Sequence, residues 1–106
     1  MPVREKISYQ VPSGEVVELF CIDVIAERIG RSSKTIRSWE ISGRLPKSIF
    51  SGYNGVRYYS QAQIDIVAKY AEQFKASQGR SLRHTRFTEL IERDFIVLSK
   101  SYGINK

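Results

Sequence analysis

Cysteine is nearly absent from the 106 residues: Cys21 stands alone, so no internal disulfide staples the fold. Histidine is equally scarce, and His84 with one cysteine cannot build a tetrahedral zinc site or a nucleophile–base–orienter triad. No glycine-rich phosphate loop occurs, so no catalytic residue, metal ligand or cofactor is expected and the chain does not read as an enzyme. Apolar runs long enough to cross a bilayer are missing, as are repeats and low-complexity tracts. Met1 to Lys6 lack the apolar stretch of a secretory signal, which leads us to expect a cytoplasmic, nucleoid-associated setting and no membrane partner. Acidic residues are short too: eleven Asp and Glu face seventeen Lys and Arg, for a formal charge of +6.

Hydrophobic residues make up 42% and charged residues 26%, the balance of a folded globular chain. The length suits about one domain, able to bury roughly two-thirds of its unfolded surface. The charge is unevenly placed. Between Arg28 and Tyr58 seven cations (Arg28, Arg31, Lys34, Arg37, Arg44, Lys47 and Arg57) face Glu40 alone, which accounts for the whole +6. A basic stretch of this kind suits a nucleic-acid surface, although sign alone decides little.

Val11-Pro-Ser-Gly14 reads as a turn ending a flexible leader over residues 1–14, and Val16 to Phe20 fits a brief strand. Ile22, Ile25, Ala26 and Ile29 recur at helical spacing up to Gly30, a helix-closing residue. Ser32 is a good N-cap for a second helix through Ile36 and Trp39 to about Ile41, ended by Gly43 and Pro46. Only Gly30-Arg31-Ser32 separates the two, the spacing of a helix-turn-helix. Ile36 and Trp39 share the inward stripe, with Trp39 expected in the core, while Lys34, Arg37, Ser38 and Ile41 point outward. Ile49-Phe50 and Val56 to Tyr59 flank Asn54-Gly55, a hairpin signal, and this hairpin would form a wing. Tyr58 and Tyr59 alternate across its return strand, so one should pack inward and the other face DNA or solvent. Ser60 to Gln63 has the form of a capping box opening a third helix to about Ala76.

After Arg80, Arg83 and Arg86, a run that reads mainly as solvated, a fourth helix is expected to begin near Thr85 or Thr88. Phe87, Leu90, Ile91, Phe95 and Leu98 form its apolar stripe, widened by Ile96 and Val97. A stripe this broad implies a covering partner, and these five residues are the expected oligomer or partner surface. Cys21, among apolar neighbours, reads as a small core residue.

Together Ile25-Ala26 with Gly30, Thr35-Ile-Arg-Ser-Trp-Glu40, Gly43-Arg-Leu-Pro46 and Asn54-Gly-Val-Arg-Tyr-Tyr-Ser60 closely resemble the winged helix-turn-helix domain of the MerR family, over about residues 19 to 76. The resemblance implies a mainly α fold with a small β wing, completed by a C-terminal helix. We therefore divide the chain into the leader (1–14), a winged DNA-binding domain (15–78) and a basic linker with an amphipathic helix (79–106). It also implies contact of Arg37 with phosphate. On the same footing Ser33, Lys34 and Ser38 of the second helix, with Arg31 before it, face the major groove, and Lys47, Arg57 and Tyr58 belong to the wing side. Ser38-Trp39 departs from the tyrosine pair usual in the long activators of this family and is more similar to its excisionase-like members. The chain after the wing helix is too short for the family's coiled coil plus an effector domain, and the metal-binding cysteines of its sensors are missing.

Three functions fit. The first is a sequence-specific double-stranded DNA-binding protein, a small bacterial or phage transcriptional regulator acting as a homodimer or small homo-oligomer. The second is a DNA-architectural accessory of recombination or packaging, excisionase-like or similar to a small terminase subunit, with a recombinase, terminase or RNA polymerase as partner. The third, a protein–protein module without DNA binding, is disfavoured by the basic stretch.

Overall fold

In the computed structural model, which describes residues 6–52, 56–79 and 81–104, the chain runs β1 (Lys6–Gln10), β2 (Val16–Phe20), α1 (Ile22–Ile29), α2 (Ser33–Ser42), β3 (Phe50–Ser51), β4 (Arg57–Ser60), α3 (Gln61–Gln73), a 3₁₀ turn (Ala76–Gln78) and α4 (Phe87–Ser101). The Asn54-Gly55 turn and Arg80 lie outside the described residues. Among the described residues no helix is long and apolar enough to cross a membrane.

Local signals set the helix ends. Gly30 closes α1 with a left-handed φ of 75°, a conformation that disfavours any side chain. The Ser32 hydroxyl accepts the Thr35 amide at 3.1 Å and starts α2 within three residues. Ser60 and Gln63 form a reciprocal capping box at the start of α3. The four strands make an antiparallel sheet in the order β1-β2-β4-β3, with Tyr9 opposite Val17, Leu19 opposite Ser60 and Phe50 opposite Tyr58.

Two expectations change here. The leader is a strand from Lys6 onward: Ile7 and Tyr9 share the sheet face of Leu19 and Val17, and the Tyr9 ring meets Phe50 edge-on at 5.7 Å. Val11 is buried, and the Ser13 amide donates to the Tyr102 carbonyl, tying this segment to the end of α4. The period-two Ile7, Tyr9, Val11 was the signal for it.

The second change concerns α4. Phe87 and Ile91 are fully buried, and with Leu90 and Phe95 they join Ile25, Ile36, Tyr59, Ile64 and Val67 in the main core. Leu98 packs on a second cluster made of Val11, Val17, Leu19, Phe50 and Tyr102. The five residues expected to form an oligomer surface thus pack inward, and Leu82, Phe87, Leu90, Ile91 and Phe95 belong to the same core as the winged segment. Three short helices and a small sheet leave one side of their apolar surface open, and α4 closes it. Tyr70 donates to Asp94 at 2.7 Å, Thr88 to the Arg44 carbonyl at 2.5 Å and Tyr102 to the Ser60 hydroxyl at 3.0 Å, so polar bonds pin α4 along its length. Only Ile96 and Val97 of its apolar residues remain largely exposed, at 51% and 63%.

Candidate nucleic-acid interface

The outward face of α2 follows from helical periodicity, since Ile36 is buried while Lys34, Arg37, Ser38 and Ile41 are exposed. The three polar ones project from α2 with no hydrogen bond or ion pair among the described residues, which leaves their donors available to a ligand. Ile41, 82% exposed, ends the same face. Beside it lies a groove of about 570 Å³, lined by Arg37, Glu40 and Ile41 of α2, Cys21 and Asp23 at the start of α1, and Arg57 of β4. Cys21 is half-buried on that groove rather than a core residue, its thiol directed at Asp23.

The wing reaches α2 through alternation along β4: Arg57 and Tyr59 share one face of the strand, Tyr58 the other. Tyr59 is fully buried and its hydroxyl donates to Glu40 Oε2 at 2.7 Å. Burial, followed by the hydrogen bond and charge of Glu40, pushes its phenol far above the ordinary tyrosine range, with Arg57 opposing. Arg57 is half-buried, and its Nη1 is buried with no hydrogen-bond partner. That nitrogen is out of reach of a ligand, so it is the rest of the side chain that lines the groove.

Not every expected contact is available. Arg31 donates to the Ala76 carbonyl at 2.6 Å and lies over the Trp39 ring at 5.9 Å, so it braces the connection after α3. Ser33 is held by Asp23, its hydroxyl donating to Oδ1 at 2.5 Å. Tyr58 packs against the second cluster, so both wing tyrosines point inward. Trp39 is half-buried at the core margin, edge-on to Phe87 at 5.5 Å; its neighbour is the start of α4, not the wing. Lys34, Arg37 and Ser38 stay exposed on α2, Lys47 is exposed on the way to β3, and Arg57 flanks the groove. Sequence reasoning missed the Glu40–Tyr59 link, although strand alternation placed Tyr59 with Arg57 and helical spacing placed Glu40 one turn beyond Arg37.

Arg44 donates to the Leu82 carbonyl at 3.4 Å, and Arg31 holds Ala76. Ala76 and Leu82 are thus tied to residues just before and just after α2. Among the described residues no group of three or more His, Cys, Asp or Glu forms a metal cluster.

The family model described as MerR HTH family regulatory protein matches residues 20–86, well over half of the chain. No curated protein and no solved structure matches it. The matched span takes in α1, the three-residue turn, α2 with its exposed basic face, the wing strands and capped α3. The chain belongs to the MerR helix-turn-helix family of regulatory proteins, and is a DNA-binding regulator of that general kind.

Proposed function

We propose that this protein is a sequence-specific double-stranded DNA-binding protein, a small bacterial or phage transcriptional regulator, that inserts α2 into the major groove and lays the β3–β4 wing on the flanking minor groove. The observation carrying this reading is that Lys34, Arg37 and Ser38 stand exposed on one face of α2, beside a groove that Arg57 lines from the wing side. Lys34 and Ser38 reach base edges, where an ammonium and a hydroxyl meet the acceptors of the major groove. Arg37, Lys47 and Arg57 take phosphates and set the register. Arg31 and Tyr58 support the fold instead of touching DNA. Two copies on paired half-sites supply the specificity that one short helix cannot.

Fluorescence anisotropy on a duplex across a salt series tests the reading. The log–log slope should correspond to about four to eight neutralised phosphates, at roughly 0.9 per phosphate. A flat titration removes DNA binding.

A further inference from the structure

We infer that the outer edge of β1 is a pairing surface for the same strand of a second copy of this chain. β1 lies before residues 20–86, the span that the family model matches. It ends the sheet order β1-β2-β4-β3, so among the described residues only β2 pairs with it, and all five of its residues are exposed. The hairpin fixes where its backbone groups point. The Val11 amide donates to the Glu15 carbonyl at 2.9 Å, in register with Tyr9 opposite Val17 and Ile7 opposite Leu19. An antiparallel ladder alternates bonded with non-bonded residue pairs, so Ile7, Tyr9 and Val11 turn their amides and carbonyls toward β2, while Lys6, Ser8 and Gln10 turn theirs outward. An edge offering such a row is a template for a further strand.

The residues of the edge select the occupant. Antiparallel pairing of two β1 strands about a two-fold axis at Ser8 sets Ser8 against its copy and Lys6 of each protomer against Gln10 of the other, with both N–H···O bonds exchanged at every pair. Any other antiparallel register leaves at least one of these outward residues unpaired. On one face of the extended sheet Ile7 of each copy then meets Tyr9 of the other, an aliphatic–aromatic pair made twice at the closer, non-bonded spacing. These side chains are 39% and 46% exposed, and within the protomer they continue the row of Leu19 and Val17. Like charges do not meet: Lys6, the one charged residue of β1, faces an amide and keeps its ion pair with Glu18 at 3.3 Å. The contact is short and suits a weak, reversible dimer. Its bonds are made by β1 alone, so the inference does not depend on DNA binding.

Sedimentation velocity of the full chain without DNA, up to about 500 µM and in about 150 mM salt to screen the repulsion between two chains of charge +6, tests it. The wild type should show a concentration-dependent dimer. Ser8→Pro removes an outward amide, leaves the bonds to β2 in place and should abolish the dimer. Gln10→Lys sets like charges opposite each other twice and should weaken dimerisation about threefold or more, whereas Gln10→Glu gives each Lys6 a carboxylate and should strengthen it by a similar factor. Amide hydrogen exchange locates the joint: the Ser8 amide should exchange quickly in dilute solution and slow as the dimer forms, with Tyr9 protected throughout. A wild type that stays monomeric to the top of the range, or a dimer that responds to neither Gln10 substitution, overturns the surface. So does a dimer in which the Ser8 amide exchanges as quickly as in dilute solution. Should Ser8→Pro fail to fold, the Gln10 pair and the Ser8 amide decide.

Discussion

The Tyr59 hydroxyl on β4 donates to Glu40 on α2 at 2.7 Å, and this bond joins the strand to the helix. Tyr59 is fully buried while Glu40 is half-buried, so the two partners are not equivalent to remove. Glu40→Ala strands a buried hydroxyl and should cost about 1–3 kcal/mol, whereas Tyr59→Phe leaves a carboxylate that water can reach and should cost about 0.5–1.5 kcal/mol. Urea unfolding of both variants checks the order. Equal costs would mean that the bond does not carry this junction.

Alkaline pH should destabilise the protein through the same tyrosine. Its folded phenol is held protonated far above the ordinary value, chiefly by burial. The contribution is complete below the unfolded tyrosine value near 10 and is lost as pH rises beyond it, because the unfolded chain releases a proton that the folded chain keeps. The slope is about 1.4 kcal/mol per pH unit for one such group. Tyr102, also raised by burial, adds to the fall. Denaturant midpoints from pH 8 to 11 should drop in the wild type, and Tyr59→Phe should flatten that drop.

Trp39→Ala should destabilise by about 2–3 kcal/mol, less than the roughly 3–5 of a fully buried indole, because the ring sits at the core margin against Phe87. Duplex affinity at temperatures well below melting should be kept. Loss of binding without loss of stability would assign the indole to the DNA.

A chain ending at Gly79 should fail to fold cooperatively. It lacks Phe87, Leu90, Ile91 and Phe95, all buried in the main cluster, and exposes Ile25, Ile36 and Ile64 on the open side. Circular dichroism melting of the truncated chain checks this. A sharp transition near that of the full chain would show that α4 is dispensable to the core.

On the face of α2, Arg37→Ala should weaken binding to all duplexes alike. Lys34→Ala and Ser38→Ala should also relax discrimination between sites by about 1–3 kcal/mol for each lost base contact. Ser33→Ala should act mainly on stability, since Asp23 holds that hydroxyl. Competition binding between a selected site and random duplex separates these effects.

What lay open in the sequence was local. Gly30, Ser32, Gly43 and the Ser60–Gln63 box act within one helical turn, so the ends of α1, α2 and the start of α3 could be read from neighbours a few residues away. The exposed face of α2 followed for the same reason: a 3.6-residue period assigns Ile36 inward and Lys34, Arg37 and Ser38 outward before any partner is known. Tertiary structure decided which apolar face meets which. The stripe of α4 announced burial, but the same pattern serves a core or a second chain, and only the open side of the three-helix assembly made it a lid. Distance in sequence also hid the fates of single polar groups. Arg31 reaches Ala76 and Ser33 reaches Asp23 because the fold brings those acceptors near, and long side chains take the acceptors that tertiary packing provides.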